Sequence, residues 1–84
     1  MSSDGKRIGV VAILVQERQN IAKVNELLST FNGIIMGRIG LPRHEDNLNV
    51  ISLIVEGTTD DIGALTGKLG GMSGITTKSL LLTK

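Results

Sequence analysis

The chain has 84 residues, 40% of them apolar, with nine basic against eight acidic side chains, a formal charge of +1, no cysteine and one aromatic residue, Phe31. The missing cysteine excludes disulfides, zinc–thiolate and iron–sulfur sites and thiol catalysis. Scattered charges without a basic stripe, and a lone aromatic, lack the footprint of a nucleic-acid binder.

No apolar run approaches the roughly 20 residues of a membrane-spanning helix. Residues 1–6 are polar, carry no signal-peptide core and read as a short flexible tail; residues 7–84 read as a single domain of a cytoplasmic protein. A chain this short buries about 60–65% of its unfolded surface, so association would add useful burial.

Arg7–Val15 (RIGVVAILV) reads as a strand. Val11, Ile13 and Val15 fall on one face, and Ile8, Val10, Ala12 and Leu14 on the other. The polar stretch Glu17–Asn20 follows, with Asn20 or a neighbour as a helix cap. Ile21, Val24, Leu28 and Phe31 then repeat at helical spacing, with Leu27 widening the stripe. Asn32-Gly33 stops this helix, Gly33 being suited to a left-handed cap.

Ile34–Leu41 reads as a weaker strand in which Ile35, Ile39 and Leu41 face inward and Ile34, Met36 and Arg38 outward. Gly37 and Gly40 suit an edge strand or a bulge, and Pro42 is expected to end the pairing. Arg43–Asn47 is a charged loop. Leu48–Glu56 (LNVISLIVE) is β-branched and apolar on both faces, which a half-solvated strand is not. Thr58 or Thr59 caps the next helix, with Asp60 and Asp61 in its first turn. Ile62, Leu65, Leu69 and Met72 make its stripe. Ile75–Thr83 is the last strand, with Thr76, Lys78, Leu80 and Leu82 on one face.

The two helix stripes match at an offset of 41 residues, Ile21 with Ile62 through Phe31 with Met72, and the same offset joins Val10 to Ile51, Ile13 to Ile54 and Leu14 to Val55. One β-α-β unit used twice predicts an α+β protein with the ferredoxin-like split βαβ fold (βαββαβ): a four-stranded antiparallel sheet, order 4-1-3-2, with two helices on one face. The first and third strands are then central, which explains their two apolar faces. The face away from the helices would expose an apolar patch of several hundred Å², near the limit for a soluble monomer. A homodimer or homotetramer is therefore expected. Val10, Ala12, Val50 and Ile54 are interface candidates. So are Gly63 and Gly67, four apart in the second helix; there each glycine costs about 1 kcal/mol against alanine. Close packing against a neighbouring element, a second subunit or a ligand would each need the missing side chain.

Chemistry-bearing constellations are few. His44 stands alone beside Glu45 and Asp46, and adjacent residues do not converge on one ion, so no metal and no cofactor is expected. Arg18 and Asn47 resemble the arginine and asparagine of acylphosphatases, small enzymes of this fold. The loop Gln16–Asn20 lacks the glycines of their phosphate cradle and carries a carboxylate, so a non-enzyme is expected.

Arg38-Ile39-Gly40-Leu41-Pro42, Asn47 through Gly57, Asp61–Gly70 (DIGALTGKLG), Met72–Ile75 and Lys78 resemble the iron-only hydrogenase system regulators, small stand-alone ACT-like proteins. Asn25–Leu28 in the first helix also fits, and the resemblance spans residues 7 to 83. It implies an oligomeric regulator that binds a small metabolite, such as an amino acid, where subunits meet. Glu17, Arg18, Gln19 and Asn20, after the first strand, are the candidate ligand residues. The histidine and cysteine set of the related nickel-responsive repressors is missing, as is their DNA-binding segment. Any transcriptional role would run through a partner. Two alternatives remain: a structural or interaction subunit without ligand, and the acylphosphatase-like enzyme.

Overall fold

A computed structural model describes residues 5–43 and 45–83. The order is β1 (Arg7–Gln16), α1 (Asn20–Thr30), a 3-10 turn (Asn32–Ile34), β2 (Ile35–Arg43), β3 (Leu48–Gly57), α2 (Thr59–Gly70) and β4 (Ile75–Leu81). The sheet runs β2-β3-β1-β4 with every neighbour antiparallel. Read from the other edge this is 4-1-3-2, the expected ferredoxin-like order.

The core follows from alternation. Val11, Ile13 and Val15 of β1 and Ile51, Leu53 and Val55 of β3 are buried beneath Val24 and Leu28 of α1 and Ile62, Leu65 and Leu69 of α2. Each such side chain contributes about 1.5–3 kcal/mol relative to exposure. α2 starts from a capping box: the Thr58 hydroxyl accepts from the Asp61 N–H at 3.0 Å, and the Asp61 carboxylate accepts from the Thr58 N–H at 3.3 Å.

Several local expectations are corrected. β2 carries a bulge between Ile35 and Gly37, so the residues beyond it swap faces. Ile39 and Leu41 lie opposite Ser52 and Val50 on the helix-free face, while Arg38 lies opposite Leu53 and donates to the Asn25 side chain on α1. Pro42 does not end the strand; it pairs opposite Asn49, because an edge strand has one side with no ladder to serve. Asn20 is not the cap of α1. Its side chain donates back to the Gln16 carbonyl at 2.7 Å, and the residue at the cap position, Gln19, makes no side-chain cap bond. Gly33 is not left-handed, since the chain tightens there into the 3-10 turn; Gly74, with φ of 77°, is.

The repeat holds in the helices and slips in the strands. An offset of 41 joins Val10, on the helix-free face, to the buried Ile51, and the buried Ile13 to the exposed Ile54. The strands themselves correspond at 41, Arg7–Gln16 with Leu48–Gly57, but the buried residues of both are odd-numbered, so an odd offset pairs opposite faces. The tail expected over residues 1–6 lies mostly outside the described residues, as does His44.

Candidate functional site

Two connections meet at the end of the sheet where β1 leaves for α1. The Glu17 N–H donates to the Asn47 carbonyl at 3.0 Å, tying the β1–α1 loop to the β2–β3 loop. Both residues adopt left-handed backbones, with φ of 71° at Glu17 and 55° at Asn47. Asparagine tolerates this region; glutamate does so at a cost of about 1–2 kcal/mol. A third connection closes on the same place. The Gln16 N–H donates to the Gly74 carbonyl at 2.9 Å, and the Asn20 amide sits where a side chain on Gly74 would stand.

Beside this junction lies a cleft of about 180 Å³ lined by Arg18, Ile21, Pro42, Arg43, Leu48 and Asn49. Its lining combines two arginines with the apolar Ile21, Pro42 and Leu48. Arg43 also pairs with Asp46 at 2.6 Å, an exposed contact of small worth. The first N–H groups of α1 are spent within the turn, Asn20 on the Glu17 carbonyl and Ile21 on the Arg18 carbonyl, both at 3.0 Å, so the positive charge beside the cleft is that of the two arginines. Of the four expected ligand residues, Arg18 lines the cleft. Glu17 and Gln19 contact each other at 3.4 Å, and Asn20 is spent on the backbone. Pro42, Arg43, Leu48 and Asn49 escape sequence reasoning because only the antiparallel hairpin brings them to the β1–α1 loop. Arg18 and Asn47, the pair resembling acylphosphatases, lie on the two loops that the Glu17–Asn47 bond joins.

The interface candidates divide between two surfaces. Val10 and Ile54 are cross-strand partners on the helix-free face, where Ala12 lies opposite Ser52 and Val50 opposite Leu14. Gly63 and Gly67 lie on the exposed outer side of α2, and a side chain added at either meets no atom within 4 Å. Close packing against a neighbouring element of the chain, one reason weighed for these glycines, is therefore excluded. The helix-free face also holds Ile39, Leu41 and Leu80, exposed by 74%, 59% and 63%. Ile39 and Leu41 were hidden from sequence reasoning by the bulge.

Among the described residues, no three His, Cys, Asp or Glu side chains converge as metal ligands, and no helix is long and apolar enough to cross a membrane. His44, weighed with Glu45 and Asp46 as a metal ligand, lies outside those residues.

Sheet order and helix placement define an α+β protein of the ferredoxin-like fold, with ACT domains among its structural neighbours. The chain belongs to the TM1266-like family, described as "Iron-only hydrogenase system regulator, putative", whose family model matches residues 7–79. The uncharacterized protein TM1266 from Thermotoga maritima is 40% identical, with a TM-score of 0.88 over 93% of this chain and 99% of that one. The ACT domain from GTP pyrophosphokinase of Chlorobium tepidum superposes with a TM-score of 0.74 at 18% identity, covering 89% of this chain and 99% of that one. CPII, a nitrogen regulatory PII-like protein from Thiomonas intermedia, gives 0.51 at 12% identity over 92% and 97%. These last two likenesses are of fold. No curated protein matches the chain.

Proposed function

We propose that this chain is a regulatory module of the cytoplasm. It is a homo-oligomeric ACT-like domain that binds a small metabolite carrying a carboxylate, such as an amino acid, at the β1–α1 junction. It passes that state to a partner that acts in transcription or metabolism. Family membership supports the regulatory reading over the acylphosphatase-like one. The observation that carries the ligand reading is the strained Glu17, bonded to Asn47 beside the cleft of Arg18 and Arg43. Backbone strain of this kind collects at ligand clamps and switches.

Thermal unfolding against a panel of amino acids and small carboxylates tests the reading. One ligand class should raise the midpoint in wild type and fail in Arg18→Ala. A flat panel for wild type would reject it. The second reading, an interaction subunit without ligand, is favoured by the exposed apolar sheet face and would then take its place.

A further inference from the structure

The helix-free face forms a regular grid. One row runs Ile39–Ser52–Ala12–Lys78 across β2, β3, β1 and β4. The row on one side is Gly37–Ile54–Val10–Leu80 and the row on the other is Leu41–Val50–Leu14–Thr76. The middle row is low at its centre, where Ser52 and Ala12 are small, and high at one edge, where Ile39 is 74% exposed. On the other side of the sheet midline, a hollow of about 260 Å³ is lined by Val10, Ala12, Lys78, Ser79 and Leu80. A projecting isoleucine and a hollow that can take it thus lie in one row, on opposite sides of the line between β3 and β1.

We infer that this face is the interface between two copies of the chain, related by a two-fold axis that lies between the sheets and runs along β1 and β3. That rotation keeps each row in place and exchanges β2 with β4 and β3 with β1. Ile39 of each copy then enters the hollow of the other. The alternative axis, across the strands through the same row, stacks Ile39 on its own copy, leaves both hollows empty and sets Lys78 against Lys78. Like charges brought together out of water oppose that arrangement.

Size and composition agree with a second copy as the occupant. Four strands at about 4.8 Å and five residue pairs at about 6.8 Å make a face of roughly 600 Å² in plan. That approaches the about 800 Å² of accessible surface that each partner commits to a standard interface. Ile8, Ile39, Leu41, Val50, Ile54 and Leu80 are all at least 38% exposed on the single chain. Few charges interrupt the face: Lys78 on the rim of the hollow, Glu56 opposite Ile8 and Arg43 at the far end. Two such sheets pack about 10 Å apart with strands aligned to within about 30°.

This inference rests on the proposed self-association and specifies its face and axis. The test is native mass spectrometry of wild type and Ile39→Asp from 1 to about 100 µM, with thiol crosslinking of mixed single-cysteine chains; the range spans weak to moderate dimer affinities. The natural chain has no cysteine, so the background is nil. Ile39 is exposed, so Ile39→Asp should keep the wild-type circular dichroism. It should raise the dimer dissociation constant at least about thirtyfold, as loss of an apolar anchor seated in a partner's pocket does. A crosslinker of about 10 Å reach, the spacing of packed sheets, should join Ile39→Cys chains to Lys78→Cys chains and neither kind to itself. Crosslinks of Ile39→Cys to itself would overturn the axis. An oligomer indifferent to Ile39→Asp would overturn the face while leaving self-association intact. A wild-type monomer throughout would overturn both.

Discussion

The Arg38 guanidinium donates to the Asn25 side chain, joining the edge strand β2 to the outer turn of α1. The bond exists because the bulge before Gly37 turns Arg38 onto the helix side. Both side chains are exposed, so the link is modest. Arg38→Ala and Asn25→Ala should each cost about 0.5–1 kcal/mol. The double variant should cost little more than either single one, as a urea-unfolding cycle would measure.

Gly63→Ala and Gly67→Ala should stabilise the fold, because each position is helical, exposed and open around the added carbon. About 1 kcal/mol is expected from each. In a domain of this size that raises the melting temperature by roughly 4–8 °C. Native mass should stay unchanged if the interface is the sheet; a changed mass would move it to α2.

Leu53 and Ile54 are chain neighbours on opposite faces, Leu53 fully buried and Ile54 44% exposed. Leu53→Ala should cost about 2–5 kcal/mol at any protein concentration. Ile54→Ala should cost little in dilute solution and more as concentration rises, since only association buries it. Denaturation curves at two concentrations separate these behaviours.

Two connections near the ends of α2 should respond differently to alanine. Thr58→Ala removes the hydroxyl of the capping box and should cost about 1 kcal/mol. Gly74→Ala should cost more, because its φ is 77° and the new carbon would lie 2.7 Å from the Asn20 amide nitrogen. Chemical denaturation ranks the two directly.

Glu17→Gly relieves a left-handed glutamate and should stabilise the chain by up to about 1 kcal/mol. If Glu17 is held there for ligand binding, the same change should reduce the thermal shift produced by the active carboxylate. A variant that is more stable and fully ligand-responsive would show that the strain serves no recognition.

Much of the architecture was legible in the sequence because periodicity marks both helices and both central strands. The faces of β2 were not, because an extra residue leaves no periodic trace: Gly37 signals a bulge without saying which later residues it turns over. The repeat was exact in the helices, where Val24 and Leu65, and Leu28 and Leu69, are equivalent buried pairs. It failed in the strands because the buried residues of β1 and β3 are all odd-numbered, and an odd offset pairs opposite faces. Of the candidate site, topology gave the β1–α1 loop, while the opposite wall of Pro42, Arg43, Leu48 and Asn49 depends on a tertiary approach that no local pattern encodes.

The bulge in β2 has a consequence in genetic terms. Met36 is the extra residue, so loss of its one codon would leave Ile35 opposite Val55 and Gly37 opposite Ile54, and Arg38, Ile39 and Leu41 would keep their faces. The apolar sheet face would survive the deletion with every contact residue in place. A one-residue loss at this point of the reading frame is absorbed by the strand, whereas the same loss further along it would turn the later side chains over.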